Sequence, residues 1–376
     1  MYGVVNVITK TPNERGMPLI MNSVETITTG TFQIRDYLDP VTRRWRPDAP
    51  QPTLVDFVLT IPEGVAPGQP TPVVLFGHGL FTSRELVYLI ADKLAEAGFA
   101  VFSFDLPYHG NRTVCLRDAD CAEGGVCDDR GQCSNGELAQ ISSPFPDGPS
   151  YPAATGSAFI EVDDIVGARD HFRQSALDMF QALRVIRGAD WAAATGGYVL
   201  DGADVVYLGM SLGGILGSII AGAEPTITDF ALNVPGGDFF TLFRDSSAFT
   251  TAFAEVLEER NAPPGSDAYF ELENALRWML DRIDPINIAR HGLQPYEWVD
   301  PLDGTAKISP TKRVLIQMAE GDLVVPNSST RSLSEAMGVP IRTYTPLVSN
   351  HAFLFDLTSF EGARARQDIV EFLEAR

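Results

Sequence analysis

Apolar positions recur along this chain with two periods, and the switches between them mark its elements. "TFQIRDYLD" and "TLVDFVLTIP" read as strands, the second with apolar and polar residues in turn. "PVVLFGHG" is a short continuous apolar run ending in glycine, the pattern of a parallel strand buried on both faces. "LVYLIADKLAEAG" has helical spacing and stops at Gly98, and "FAVFSFDLPYHG" is a second buried strand with a loop behind it. Strand, helix, strand is a βαβ unit and calls for a parallel sheet. "QSALDMFQALRVIRGAD" spaces apolar residues at 177, 180, 183 and 186 and predicts a helix. The strand "DVVYLGM", the helix "GGILGSIIAGA" and the strand "ITDFALNVPG" follow. The rhythm resumes later with the strand "KRVLIQMAEGD", the helix "STRSLSEAMG", the strand "IRTYTPL" and a helix over about 361–375.

Two segments interrupt this order, and the stretch ahead of the first strand reads as loop. Residues 111–170 carry cysteines, prolines and "SSPFPDGPSYPAATGS" and read as a loop insertion. Residues 239–310 hold Phe- and Leu-rich helical stretches such as "TTAFAEVLEER" and "ELENALRWMLDRI" without a strand pattern. They read as a helical cap inserted before the acid-bearing strand. The expectation is one α/β domain over 1–376: a mostly parallel central sheet of about eight strands flanked by helices, with the cap and the small insertion.

Composition narrows the function classes. The formal net charge is −21, from 49 acidic and 28 basic residues, so the surface repels phosphate backbones and nucleic acid is excluded as a partner. No apolar run approaches the ~18 residues of a membrane-spanning helix, and stable membrane insertion is not expected. The opening residues, "MYGVVNVITKTPNERG", lack the apolar core of a signal peptide.

The cysteines nevertheless point outward. All four lie in "CLRDADCAEGGVCDDRGQC", at Cys115, Cys121, Cys127 and Cys133, each six residues after the last. A short, polar, Gly- and Asp-rich segment cannot bury a core of its own, and two disulfides would staple it. A zinc site lacks its usual Cys-x2-Cys pairs here. Three pairings are open, with Cys115–Cys127 and Cys121–Cys133 preferred. A secreted or periplasmic location follows. The acidic residues of the segment (Asp118, Asp120, Asp128, Asp129) lack EF-hand spacing and read as a solvated loop, with no metal expected.

The chemistry centres on "YLGMSLGGILGS". Gly209-Met210-Ser211-Leu212-Gly213 is G-x-S-x-G, with a strand before it and a helix after it, as a nucleophile elbow requires. The sharp turn crowds its neighbours, so positions two before and two after the serine favour glycine. The new helix N-terminus aims backbone N–H groups at developing negative charge. Serine needs a base and an orienting acid. His351 lies in "LVSNHAF" after the last strand, and Asp322 in "MAEGDLVVP" directly after "VLIQM". Ser211, Asp322, His351 is the chain order this architecture uses. Two donors must face the oxyanion. These are expected to be the Leu212 N–H and the Leu80 N–H in "GHGL". Asp105 and His109 in "FDLPYHG" read as loop-holding residues. Sequons at Asn111 and Asn327 are set aside, the second because a glycan there would crowd the acid loop.

On "GHGLF", "FDLPYHG", "GMSLGG", "GDLVVP" and "SNHAF", residues 54–375 resemble the α/β-hydrolase superfamily, and within it bacterial secreted lipases and esterases with an H-G-hydrophobic oxyanion loop. The resemblance implies a Ser-His-Asp ester hydrolase working through an acyl-enzyme without a cofactor. It also implies Leu80 and Leu212 as oxyanion donors. Lipases often carry His before the nucleophile, where this chain has Met210. Phe81, Met210, Phe239 and Phe240 are the candidate substrate-pocket residues. The substrate class is an ester or lipid-like small molecule or polymer. A peptidase or acyltransferase on the same scaffold, or a binding protein that kept the fold, are the rival readings.

Overall fold

The computed structural model describes residues 3–142, 151–300, 304–347 and 350–376. The chain divides into two compact units, residues 1–161 with 170–205, and residues 162–169 with 206–376.

The first unit contains strands β1 (Val4–Lys10), β2 (Val24–Asp36), β3 (Gln51–Pro62), β4 (Pro70–Gly77) and β5 (Ala100–Phe104), in the order β1-β2-β3-β5-β4. The first three pairings are antiparallel. β4 and β5 are parallel, with helix α1 (Tyr88–Glu96) as their crossover. Nearly every residue of β4 and β5 is buried, which is why they lack alternation in the sequence.

The opening stretch, read above as loop, forms β1 and the start of β2. β1 is a half-exposed edge strand whose register shifts between Val5 and Ile8, where Asn6 takes φ +55. That bulge breaks the two-residue period by which a strand is recognised, and it also blunts the edge against further pairing.

In the insertion, Cys115–Cys127 and Cys121–Cys133 are disulfide-bonded, each across 12 residues, and no free cysteine remains among the described residues. The acidic side chains there serve backbone N–H groups. Asp118 accepts from Cys127, Asp120 from Leu116 and Arg117, and Asp128 from Arg130 and Gln132. The short pair β6 (Gln140–Ile141) and β7 (Tyr151–Pro152) follows. Residues 143–150 of the expected loop lie outside the described residues. Helix α2 (Ile165–Gly188) starts within the expected insertion rather than after it, so the insertion is shorter than 111–170. Its first turns carry polar Arg169, Asp170 and His171 among buried apolar residues, and this obscured the helical period. Helix α3 (Trp191–Thr195) comes next, and β8 (Val199–Met210) carries the chain into the second unit.

Intact mass should find the protein four hydrogens lighter than its reduced form. Each loop of this length contributes about 3 kcal/mol by chain entropy. Reduction should therefore expose 111–142 to proteolysis before the rest of the chain. Four alkylatable thiols in unreduced protein would contradict this pairing.

In the second unit β8, β9 (Asp229–Asn233), β12 (Arg313–Ala319) and β13 (Ile341–Tyr344) pair in that order, all parallel. Together the two sets hold nine strands, against about eight expected. Helix α4 (Leu212–Ala223) follows β8 and is buried from Leu212 to Ala221. Helices α5 (Phe239–Asp245), α6 (Thr250–Glu259), α7 (Asp267–Leu280) and α8 (Pro285–Ile288) fill the expected cap. Its end is not helical: β10 (Glu297–Val299) and β11 (Ala306–Ile308) form an antiparallel hairpin, too short for a periodic signal. Helices α9 (Asn327–Met337) and α10 (Phe360–Glu374) complete the unit. A buried polar chain crosses its sheet: Asn233 donates to Gln317 (2.9 Å), Gln317 to the Tyr344 hydroxyl (2.8 Å), and Tyr344 to Asp368 of α10 (2.5 Å).

Candidate active site

Ser211 stands at the junction of β8 and α4 with φ +55 and ψ −116, a conformation non-glycine residues rarely adopt. Its neighbours explain how the turn closes. A Cβ on Gly209 would lie 2.2 Å from the Gly213 carbonyl oxygen, so only glycine fits there. The Ser211 amide donates to the Asn233 carbonyl of β9 (2.9 Å), which fixes the elbow to the next strand. On α4, a Cβ at Gly217 would collide with the Tyr207 ring and Leu232. Glycine thus lets the helix lie close on the sheet.

Asp322 and His351 meet the serine in this unit. The Ser211 Oγ is 2.8 Å from His351 Nε2, and His351 Nδ1 is 2.7 Å from Asp322 Oδ2. Ser211 and Asp322 are buried, while the imidazole stays partly exposed, at 18% of its side chain. The acid is oriented by its own loop: Asp322 Oδ1 accepts from the Val324 and Val325 N–H groups (2.8 and 3.1 Å), leaving Oδ2 to the imidazole. A carboxylate so placed stabilises a Nδ1–H tautomer, whose Nε2 lone pair faces the serine hydroxyl.

Two asparagines to which the sequence reading gave no bracing role position these loops. Asn327 accepts from the Gly321 amide and donates to the Ala319 carbonyl (2.9 and 2.7 Å), bracing the acid turn. Asn350 donates to the Glu320 carbonyl (2.9 Å), tying the base loop to the acid loop one residue before His351. Its place in "SNHAF" beside the histidine was the available signal. Val348 and Ser349 of that loop lie outside the described residues.

Leu212 is the first residue of α4, and its N–H belongs to the helix head, where no preceding turn supplies an acceptor. Met210 is buried at the end of β8. Phe239 and Phe240, expected at a substrate pocket, are 1% exposed. Phe239 stacks on Phe243, and Phe240 packs edge-on against Phe253 and Tyr269 with the Arg277 guanidinium over its ring. Phe270, on α7, is half exposed.

Leu80 and Phe81 lie in the first unit, on the turn after β4. Phe81 has φ +61 and is half exposed. The same unit holds three of the four remaining histidines, all in structural roles. His78 donates from Nδ1 to the Gly79 carbonyl and accepts at Nε2 from the Leu106 amide. His109 donates from Nδ1 to the Pro107 carbonyl, and its buried Nε2 has no partner among the described residues. His171 bridges the Phe159 and Arg43 carbonyls. Asp105 receives the Arg84 amide and guanidinium and the Asn111 amide, so "FDLPYHG" is a loop holder as expected.

Burial lowers the pKa of His78, and burial beside His78 lowers that of His109 well below the ordinary value. Both are neutral in the fold, while the unfolded chain protonates them below about pH 6.5. The unfolded state then binds more protons, so these groups cost stability as pH falls from 7.5 to 5.5. His109→Asn should lessen that slope by up to about 1.4 kcal/mol per pH unit and leave activity nearly intact. Urea melts with superimposable slopes in variant and parent would refute the assignment.

No family model matches the chain, and no curated protein matches it in sequence. Solved structures do match in shape. An acetyl xylan esterase from Paenibacillus sp. R4 has 15% identity and a TM-score of 0.55, over 100% of this chain and 88% of that one. Acetyl Xylan Esterase 1 from Thermoanaerobacterium sp. JW/SL YS485 has 15% identity and a TM-score of 0.52, over 98% and 88%. At such identity the likeness is one of fold, and the chain has the α/β-hydrolase fold.

Proposed function

We propose that this protein is a serine carboxylic-ester hydrolase acting through an acyl-enzyme. The observation that carries the reading is the unbroken relay from Ser211 Oγ through His351 to Asp322, with spacings of 2.8 and 2.7 Å. Ser211 attacks the ester carbonyl while His351 Nε2 takes its proton, and Asp322 stabilises the imidazolium. The oxyanion gathers at the head of α4, where the Leu212 N–H donates. The H-G-hydrophobic motif assigns the second donor to Leu80. His351 returns the proton to the departing alcohol, then takes one from the attacking water and delivers it to Ser211 Oγ as the Oγ–acyl bond breaks and the acid leaves.

The structural neighbours bear the name acetyl xylan esterase, and we infer an acetyl ester of a polysaccharide as the substrate class. The packing of Phe239 and Phe240 agrees with a short acyl group, because these rings are consumed by the core. Two disulfides support export to an oxidising compartment.

A fluorophosphonate probe should label Ser211 stoichiometrically in the parent and not in Ser211→Ala. Unlabelled parent protein would leave a binding protein as the better reading. With p-nitrophenyl esters, kcat/KM should be highest at acetate to butyrate and fall by octanoate, whereas peptide anilides should be inert. A steady rise through octanoate would point to a long apolar acyl pocket and overturn the short-acyl reading.

A further inference from the structure

A second site lies in the first unit, independent of the ester reading. Between the outer strands and α2 runs a groove of about 1010 Å³, lined among others by Gln33, Arg35, Tyr37, Pro52, Phe180 and Arg184. That is the upper end of the ~300–1,000 Å³ typical of small-molecule sites, room for more than one sugar ring. The register builds it. Gln33 pairs with Leu54 and Arg35 with Pro52 across β2 and β3, so these four side chains share one face of the sheet. Opposite them Leu177, Phe180, Gln181 and Arg184 recur at the three- and four-residue spacing that puts them on one helix stripe. Gln181 clips the two walls together, accepting from the Arg35 amide (2.7 Å) and donating to its carbonyl (3.3 Å).

The charge of the groove is opposite to that of the molecule. The chain carries −21, yet no carboxylate lines this groove, and its charged side chains are the guanidinium groups of Arg35 and Arg184. Both are exposed, and neither guanidinium has a hydrogen-bond or ion-pair partner among the described residues. Several arginines elsewhere in the unit face carboxylates, Arg112 with Asp178 and Asp36, Arg43 with Glu161, Arg84 with Asp105. Pro50, Pro52 and Leu54 line the groove beside these polar side chains, and its aromatic residue is held by its neighbours. Tyr37 stacks on Trp45 at 4.9 Å and 15°, and Arg173 covers Trp45 at 4.2 Å.

Two free guanidiniums, the amide of Gln33 and a fixed aromatic face match one ligand chemistry. Carboxylates dock on guanidinium forks, hydroxyls bond to amides, and the C–H faces of pyranose rings lie on tyrosine and proline. We propose that this groove binds an acidic oligosaccharide through its uronate carboxylates.

The test is calorimetric titration of the full chain at low salt with tetragalacturonate, xylotetraose and a tetraglutamate peptide. Tetragalacturonate should saturate on the order of 0.1 mM, with xylotetraose and tetraglutamate each tenfold weaker or more. Arg35→Gln and Arg184→Gln should each weaken tetragalacturonate by about tenfold or more, as loss of a charged hydrogen bond requires. Both lie on the surface, and fluorophosphonate labelling and p-nitrophenyl acetate hydrolysis should be unchanged in them. Failure here therefore leaves the ester reading standing. Absence of binding, equal binding of xylotetraose or tetraglutamate, or unaltered affinity in the variants would overturn the proposal.

Discussion

Ser211→Ala should lower kcat by about 10⁴- to 10⁶-fold while the circular dichroism spectrum and unfolding midpoint stay close to those of the parent. The hydroxyl makes its contact with His351 alone among the interactions described, whereas the backbone that creates the elbow is untouched. The turn is secured by the Ser211 amide on Asn233 and by the absence of a side chain at Gly209, neither of which depends on Oγ. Alanine inherits the same φ of +55, so folding energy changes little while the nucleophile is lost. A variant keeping more than a few percent of parental turnover would remove Ser211 from the mechanism.

Asp322→Asn should cost about 10⁴-fold in kcat, although it alters neither size nor shape. In the parent, Oδ1 is committed to two backbone N–H groups, and Oδ2 receives the imidazole proton. Asparagine must keep its carbonyl oxygen toward Val324 and Val325, which turns its NH₂ to His351 Nδ1. That nitrogen then becomes an acceptor and the proton moves to Nε2, where it blocks removal of the serine proton. The variant should show the loss in kcat with KM nearly unchanged, and unaltered kcat would assign the orienting role elsewhere.

Much of the catalytic geometry was legible because it is local chemistry. An elbow needs glycine two residues before and two after the serine, and acid and base must follow strands in a set order, so Ser211, Asp322 and His351 could be read one motif at a time. Buried strands such as β4 and β5 announced themselves as apolar runs. What stayed hidden depends on contacts between distant residues. β1 has a bulge in place of a period, β10 and β11 are three residues each, and α2 begins in polar sequence that only tertiary burial makes helical. The cap phenylalanines show the same limit. A run of aromatics looks identical whether it lines a pocket or fills a core, and only packing partners decide. Asn327 and Asn350 are ordinary polar residues until the loops they brace are seen together.

The polar chain through the second unit gives the carboxyl end of the protein an unexpected reach. Asp368 and the Ala365 carbonyl sit on α10, yet they accept from Tyr344 and Gln317, and Gln317 in turn receives Asn233, whose backbone holds the Ser211 amide. For anyone trimming or fusing this molecule, the tail is therefore no free handle. Cutting away α10 would strand buried amides and a hydroxyl, each at about 1–3 kcal/mol. The injury would surface far from the cut, as a nucleophile no longer in register with its base.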